Sequence, residues 1–269
     1  DEVALMPESF VNQATARCSV KGSKWWFNCN PQGPFHWFKV NWIDKSIGYL
    51  NAEQIKELER KKETVKNILA LTDVDVVFNN AGIGQVSPLE MLTDEQIVTL
   101  INTNLLGVIR VTKAFIPYFR EKKGGLFLNT SSLNGLVTFP VNSIYHASKW
   151  GLEGWSEGMS YELDLFNIGI KIISPGGIST EFGGSSEHVG EHPAYNSIIE
   201  RFRSLNVPEN FSTAEAIAEV VYEAATDGKK QLSYLAGDVA HQMYGRRLEI
   251  GREASLAELK QMIIGDLLK

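Results

Sequence analysis

The sequence predicts an α/β chain folded as a doubly wound parallel sheet. From about residue 52 onwards, helix-like and strand-like patterns alternate, as successive βα units require. Short apolar runs at 73–78, 126–129 and 168–174 have the length of buried parallel strands, and the first and last end in turn-forming residues. The 269 residues suffice for a large buried core, and no linker or internal repeat divides them, so one domain over 1–269 is expected.

Taken in order, residues 52–71 read as an amphipathic helix with Ile55, Leu58, Val65, Ile68 and Leu69 as its apolar stripe. The strand at 73–78 exits through Asn79-Asn80-Ala81-Gly82. A helix over 93–120 follows, with Thr93 as N-cap ahead of Asp94 and Glu95, and Gly124-Gly125 ends it. After the strand at 126–129, a helix carrying Tyr145 and Lys149 runs to about 166. The strand at 168–174 stops at Pro175-Gly176-Gly177. Residues 181–210 are polar and glycine-bearing, suited to a mobile lid over a substrate cleft, and 236–269 form a helical tail.

Composition narrows the function. Hydrophobic content of 43% and charged content of 22% are those of a soluble globular protein, and a net charge of −6 argues against nucleic acid as a partner. No window approaches 18 uninterrupted apolar residues, so no membrane span is expected. The opening Asp1-Glu2 lacks a signal pattern, and Cys18 and Cys29 read as free thiols, so the expected compartment is the cytoplasm. His188 and His192 each follow a glutamate and lie four apart, but Gly190 weakens a helix there and no third ligand is evident. No metal is expected.

The chemistry concentrates in Ser132, Tyr145 and Lys149. On a helix, Tyr145 and Lys149 lie one turn apart on one face. An ammonium favours the phenolate and brings a tyrosine, ordinarily a poor proton donor or acceptor at neutral pH, towards the working range. A serine hydroxyl from another segment can hold a substrate oxygen against the phenol. Ser131 competes with Ser132 for that place. Asn104 lies within an apolar helix, where its amide needs a partner.

Asn79-Asn80-Ala81-Gly82, Asn104 in Asn102-Thr103-Asn104-Leu105-Leu106-Gly107, Thr130-Ser131-Ser132, Tyr145-x-x-x-Lys149 and Pro175-Gly176-x-x-x-Thr180 occur in one register. Asn80 precedes Asn104 by 24 residues, Ser132 follows after 28 and Tyr145 after 13 more. Over about 73–180 the chain resembles the short-chain dehydrogenase/reductase family. The resemblance implies a Rossmann-like fold and hydride transfer between a nicotinamide cofactor, NADP or NAD, and a small alcohol or carbonyl substrate. It also implies a role for each landmark. Tyr145 is the general acid/base, and Lys149 tunes it and holds the nicotinamide ribose. Ser132 orients the substrate oxygen. Asn104 relays protons from Lys149 through water, although a core-satisfying amide is the other reading of it. Asn80, Ala81 and Gly82 contact the adenosine half. Pro175, Gly176 and Ile178 line the cofactor, and Thr180 holds its carboxamide. The long helices resemble those that pair subunits in this family, implying a homodimer or homotetramer. The C-terminal region resembles the extended tail of reductases of alcohols, ketones, steroids or retinoids.

The first 50 residues depart from the family, whose members open on a strand and a T-G-x-x-x-G-x-G turn holding the pyrophosphate. Here the only glycines before position 80 are Gly22, Gly33 and Gly48, and Trp25, Trp26 and Phe27 follow Val20-Lys21-Gly22-Ser23-Lys24, where small residues are needed. In a better alignment Ala14-Thr15-Ala16-Arg17 ends the family's second strand and 41–44 is its Asp-x-x-Asp segment. The first strand and glycine loop are then missing or replaced, and Arg17 could meet the 2′-phosphate of NADP. A second reading therefore stays open: a protein with this fold that holds no dinucleotide and acts by binding or assembly.

Overall fold

The computed structural model describes residues 73–179, 192–205 and 210–267, together with the backbone of 25–28 and 187–188. In chain order the strands are β1 (Trp25–Asn28), β2 (Val76–Asn79), β3 (Gln85–Val86), β4 (Gly125–Thr130), β5 (Ile168–Pro175), β6 (Glu187–His188) and β7 (Ser233–Ala236). The helices are α1 (Asp94–Ile101), α2 (Gly107–Lys122), α3 (Ser143–Asp164), α4 (Asn196–Leu205), α5 (Ala214–Thr226), α6 (Asp238–Ile250) and α7 (Arg252–Ile264).

Five strands pair in the order β1-β2-β4-β5-β7, every pair parallel, and β3 and β6 form a separate two-stranded sheet. Period-two alternation divides the large sheet's side chains between two cores. Val77, Phe127 and Ile170 face α2 and α3, where Phe115, Phe119 and Leu163 close over them. Val76, Phe78, Leu128 and Ile173 face α5, meeting Ile217 and Val221. This is the doubly wound α/β architecture that the strand runs imply.

Local chemistry sets the element ends. Thr93 closes a reciprocal capping box with Gln96 at the start of α1. At Gly125, a Cβ would fall inside the Phe119 ring, so β4 can begin there only on glycine. The long helix expected over 93–120 is interrupted by a π-turn, Asn102–Leu106, between α1 and α2. Within that turn Asn104 is drawn to the loop after β2, and the extra residue of a π-bulge accommodates such a pull. The C-terminal tail is helical but divides at Gly251, whose φ of 82° lies in the left-handed region.

One expectation changes: Trp25, Trp26 and Phe27, read as misplaced in a turn, lie in strand β1, paired in register with Val76, Val77 and Phe78. A parallel strand stands beside β2, so of the two outcomes the better alignment left for the first strand, missing or replaced, the position is filled. Aromatic residues suit a pleated surface, which accounts for the strand. In the stretch expected to be a lid, 196–205 is helix α4. The helix at 52–71, Arg17 and the 41–44 segment lie outside the described residues.

One polar network joins β5, α5 and β7. Lys171 Nζ donates to Asp227 Oδ1 at 2.6 Å, to the Ala224 carbonyl at 2.8 Å and to Tyr234 Oη at 3.1 Å. Tyr234 in turn donates to Asp227 Oδ2 at 2.6 Å. Burial would push the Asp227 carboxyl up, but the bonds from Lys171, Tyr234 and the Lys229 backbone outweigh it and hold it far below the usual carboxylate range.

Candidate active site

A cleft of about 670 Å³ opens beyond the C-terminal ends of β2, β4 and β5, which is where ligands bind in open α/β sheets. Its inner wall is polar, from Asn80, Thr130, Ser131, Ser132, Tyr145 and Lys149. Phe139, Phe202, Phe211, Met243, Met262 and Ile263 add apolar lining, most of it from the stretches expected as lid and tail, with Arg203 and Gln242 as polar exceptions.

Helix α3 presents Tyr145 and Lys149 one turn apart, as their spacing predicts. Tyr145 is 9% exposed and Lys149 4%, and the Lys149 Nζ lies 5.7 Å from the centre of the Tyr145 ring. The same Nζ donates to the Thr130 carbonyl at 2.9 Å, which ties the ammonium to the exit of β4. A Cβ on Gly82 would stand 3.8 Å from that Nζ and 3.6 Å from Asn104 Oδ1, so the glycine keeps the approach to Lys149 clear.

Asn104, 1% exposed, clamps the Ile83 backbone: its Oδ1 accepts from Ile83 N, and its Nδ2 donates to Ile83 O, both at 2.9 Å. Its Nδ2 also reaches Ser148 Oγ at 3.3 Å, and Ser148 donates to the Tyr145 carbonyl at 2.7 Å. The side chain therefore satisfies the core-amide reading, fastening the loop after β2 to the helix that carries Tyr145.

Ser132 lines the cleft, but its Oγ also caps the 3₁₀ turn Leu133–Gly135 by accepting from Asn134 N at 3.1 Å. Capping uses an oxygen lone pair and leaves the hydroxyl proton to donate to a ligand in the cleft. Of the paired asparagines, Asn79 faces away into the core, donating to Asn129 at 2.9 Å, and Asn80 turns to the cleft. Thr130 donates to Asn80 Oδ1 at 2.6 Å, and Asn80 Nδ2 is buried with no hydrogen-bond partner among the described residues. Ala81 and Gly82 follow in the same loop. The segment after β5 is pinned by its backbone, with Gly176 N donating to the Ala236 carbonyl at 2.9 Å and Ile178 bridging to Ser212. Pro175, Gly176 and Ile178 line the cleft; Thr180 and most of 181–191 lie outside the described residues. His192 Nδ1 accepts from Ala194 N at 3.2 Å, capping a short turn.

Sequence reasoning missed three polar residues around the cleft. Thr130 links Asn80 and Lys149, yet nothing in its type announces that. His146, 7% exposed, accepts from Phe139 N at 2.8 Å through Nε2, so Nδ1 carries the proton given to the Asn134 carbonyl at 2.7 Å. Burial holds its imidazole below the ordinary histidine range despite those backbone bonds. Glu153 continues the Tyr145–Lys149 spacing by four more residues, a signal present in the sequence and not followed.

A model of the short chain dehydrogenase family matches residues 49–189. An uncharacterized oxidoreductase of Schizosaccharomyces pombe is 35% identical over 211 residues, covering 75% of this chain and 87% of that protein. Among solved structures, a short-chain dehydrogenase from Streptomyces avermitilis superimposes with a TM-score of 0.76 over 98% of this chain and 95% of that one, at 24% identity. A short-chain dehydrogenase from Burkholderia cenocepacia in complex with NADP has a TM-score of 0.57 at 24% identity, covering 78% of this chain and 75% of its own. The site lies where the sheet's topology puts it, and the family match and the fission-yeast relative agree with both: this chain belongs to the short-chain dehydrogenase family.

Proposed function

We propose that this protein is an NAD(P)-dependent oxidoreductase that moves a hydride between a nicotinamide cofactor and an alcohol or ketone, with Tyr145 as the general acid/base. The observation that carries it is the burial of Tyr145 and Lys149 side by side at the polar end of a cleft that also carries apolar lining. A solvent-shielded ammonium beside a phenol favours the phenolate. Ser132 donates its proton to the substrate oxygen and orients it, while Tyr145 gives or takes the hydroxyl proton. The apolar lining holds the rest of the substrate and excludes water.

The residues fit a nicotinamide cofactor. Among the described residues Asn80 leaves a buried amide nitrogen unpartnered in the cleft wall, a donor waiting for an acceptor, and Gly82 keeps the space before Lys149 open. Asn80, Ala81, Gly82, Lys149, Pro175, Gly176, Ile178 and Thr180 would hold the cofactor, which when bound supplies or accepts the hydride. The NADP complex of the Burkholderia structure supports this cofactor class; a preference for NADP over NAD rests on Arg17 only in the alignment that ends the family's second strand there. The missing glycine-rich loop favours the other reading, a protein that binds without catalysis.

Titration with NADPH and then NADH, read by nicotinamide fluorescence, separates them. Saturation in the micromolar range is expected, and no saturation at millimolar cofactor from a folded protein would sink the enzyme reading. Lys149→Ala should weaken NADPH binding about tenfold and slow turnover about a hundredfold, because one ammonium serves both. Unchanged binding would remove its ribose role. Self-association to a dimer or tetramer is supported by Tyr161 and Leu165, 75% and 79% exposed at the outer end of α3, and a monomer by light scattering would count against it.

A further inference from the structure

A half-buried carboxylate stands behind the reactive pair and has no part in the chemistry above. Glu153 lies on α3 one turn beyond Lys149, so residues 145, 149 and 153 form one stripe along the helix. Its Oε1 accepts from Ser174 Oγ, itself fully buried in β5, at 2.7 Å. The Ser131 Oγ, at the exit of β4 and next to Ser132, is buried and makes no hydrogen bond among the described residues. The 3₁₀ turn capped by Ser132 presses on this group as well: a Cβ on Gly135 would come within 2.8 Å of Ser131 Oγ, 3.0 Å of Glu153 Cγ and 3.1 Å of the Lys149 carbonyl. With glycine at 135 the turn, the carboxylate stem and the helix meet this closely without displacing a neighbour.

We propose that Glu153 is a positioning residue: its carboxylate fastens the end of β5 to the helix face of Tyr145 and Lys149, its stem packs under the turn bearing Ser132, and its negative charge sets the field in which Tyr145 titrates. Among the described residues the charged groups that act on the carboxyl are Lys149 and Glu157, both on α3, and from β5 it meets the hydroxyl of Ser174. Burial holds the Glu153 carboxyl above the usual carboxylate range, against the lowering pull of the Ser174 hydroxyl and the Lys149 charge. When ionised, the carboxylate opposes the pull of Lys149 on the Tyr145 phenol. The function that follows is to keep the tyrosine protonated until a substrate oxygen needs its proton. This inference rests on the acid/base role proposed for Tyr145.

The test needs neither cofactor nor substrate. The phenol of Tyr145 is titrated by ultraviolet difference absorbance, wild type against Tyr145→Phe, and the titration is repeated in the Glu153→Gln background. Glutamine keeps the acceptor for Ser174 and removes the charge. The Tyr145 midpoint is expected to fall by about half a pH unit or more, the size of one charge acting through a partly polar interior. Glu153→Asp, which keeps the charge, should stay within about 0.3 of the wild-type midpoint. An unmoved midpoint in folded Glu153→Gln, or an equal shift in both variants, would overturn the proposal. If Glu153→Gln fails to fold, the aspartate variant decides, since a shift of about half a unit or more there would overturn it. NADPH fluorescence on the same samples keeps the two ideas apart: lost binding with a shifted midpoint counts against the oxidoreductase reading, and intact binding with an unshifted midpoint counts against Glu153 alone.

Discussion

Tyr145→Phe is expected to lower turnover by about 10²–10⁴-fold while leaving the fold and NADPH affinity nearly unchanged. The substitution removes one oxygen from a ring that is 9% exposed, so the packing of α3 on the loop after β4 survives. What it removes is the group that exchanges a proton with the substrate oxygen. Lys149 keeps its bond to the Thr130 carbonyl, so cofactor affinity should change less than threefold if that ammonium holds the ribose. Steady-state rates on a panel of alcohols and ketones, with the NADPH dissociation constant measured in parallel, check both halves. Wild-type rates in the phenylalanine variant would refute the mechanism.

A second change should act on stability instead of chemistry. Lys171→Ala leaves the Asp227 carboxylate, 7% exposed, without the cation that compensates it. Removing one partner of a buried pair destabilises by about 3–5 kcal/mol, which for a chain of this size lowers the melting temperature on the order of 10 °C. The sign of the pH effect follows from the depressed carboxyl of Asp227. Its contribution is fully present above the unfolded carboxylate range near pH 4 and is lost as pH falls towards the folded value. Chemical denaturation at several pH values should therefore show the wild type losing stability below about pH 4 more steeply than the variant. A double variant, Lys171→Met with Asp227→Leu, should recover much of the loss, because an apolar pair of similar volume needs no compensation. If Lys171→Ala melts with the wild type, the network adds nothing net.

The alternation of helix and strand was legible because parallel strands buried on both faces are near-continuous apolar runs, and those at 76–79, 125–130 and 168–175 fall where such runs stand. Thr93 was legible as a cap because its hydroxyl bonds within four residues. The π-turn was not, since it depends on Asn104 meeting Ile83, 21 positions away. Strand β1 was obscured because Trp25 and Trp26 were weighed against a glycine turn instead of against a pleated surface.

The site divides along the same line. The amino-acid sequence alone determined the Tyr145–Lys149 pair, because helical periodicity puts residues four apart on one face wherever the helix lies. It also determined the order of the landmarks that mark the family. Only the tertiary structure decided that Asn80 faces the cleft and Asn79 the core, that Ser132 caps a turn while keeping its proton, that Thr130 meets Lys149 and that Ser174 meets Glu153. Those arrangements depend on which strands pair and how far each one runs, and contacts between residues distant in the chain leave no local period in the sequence.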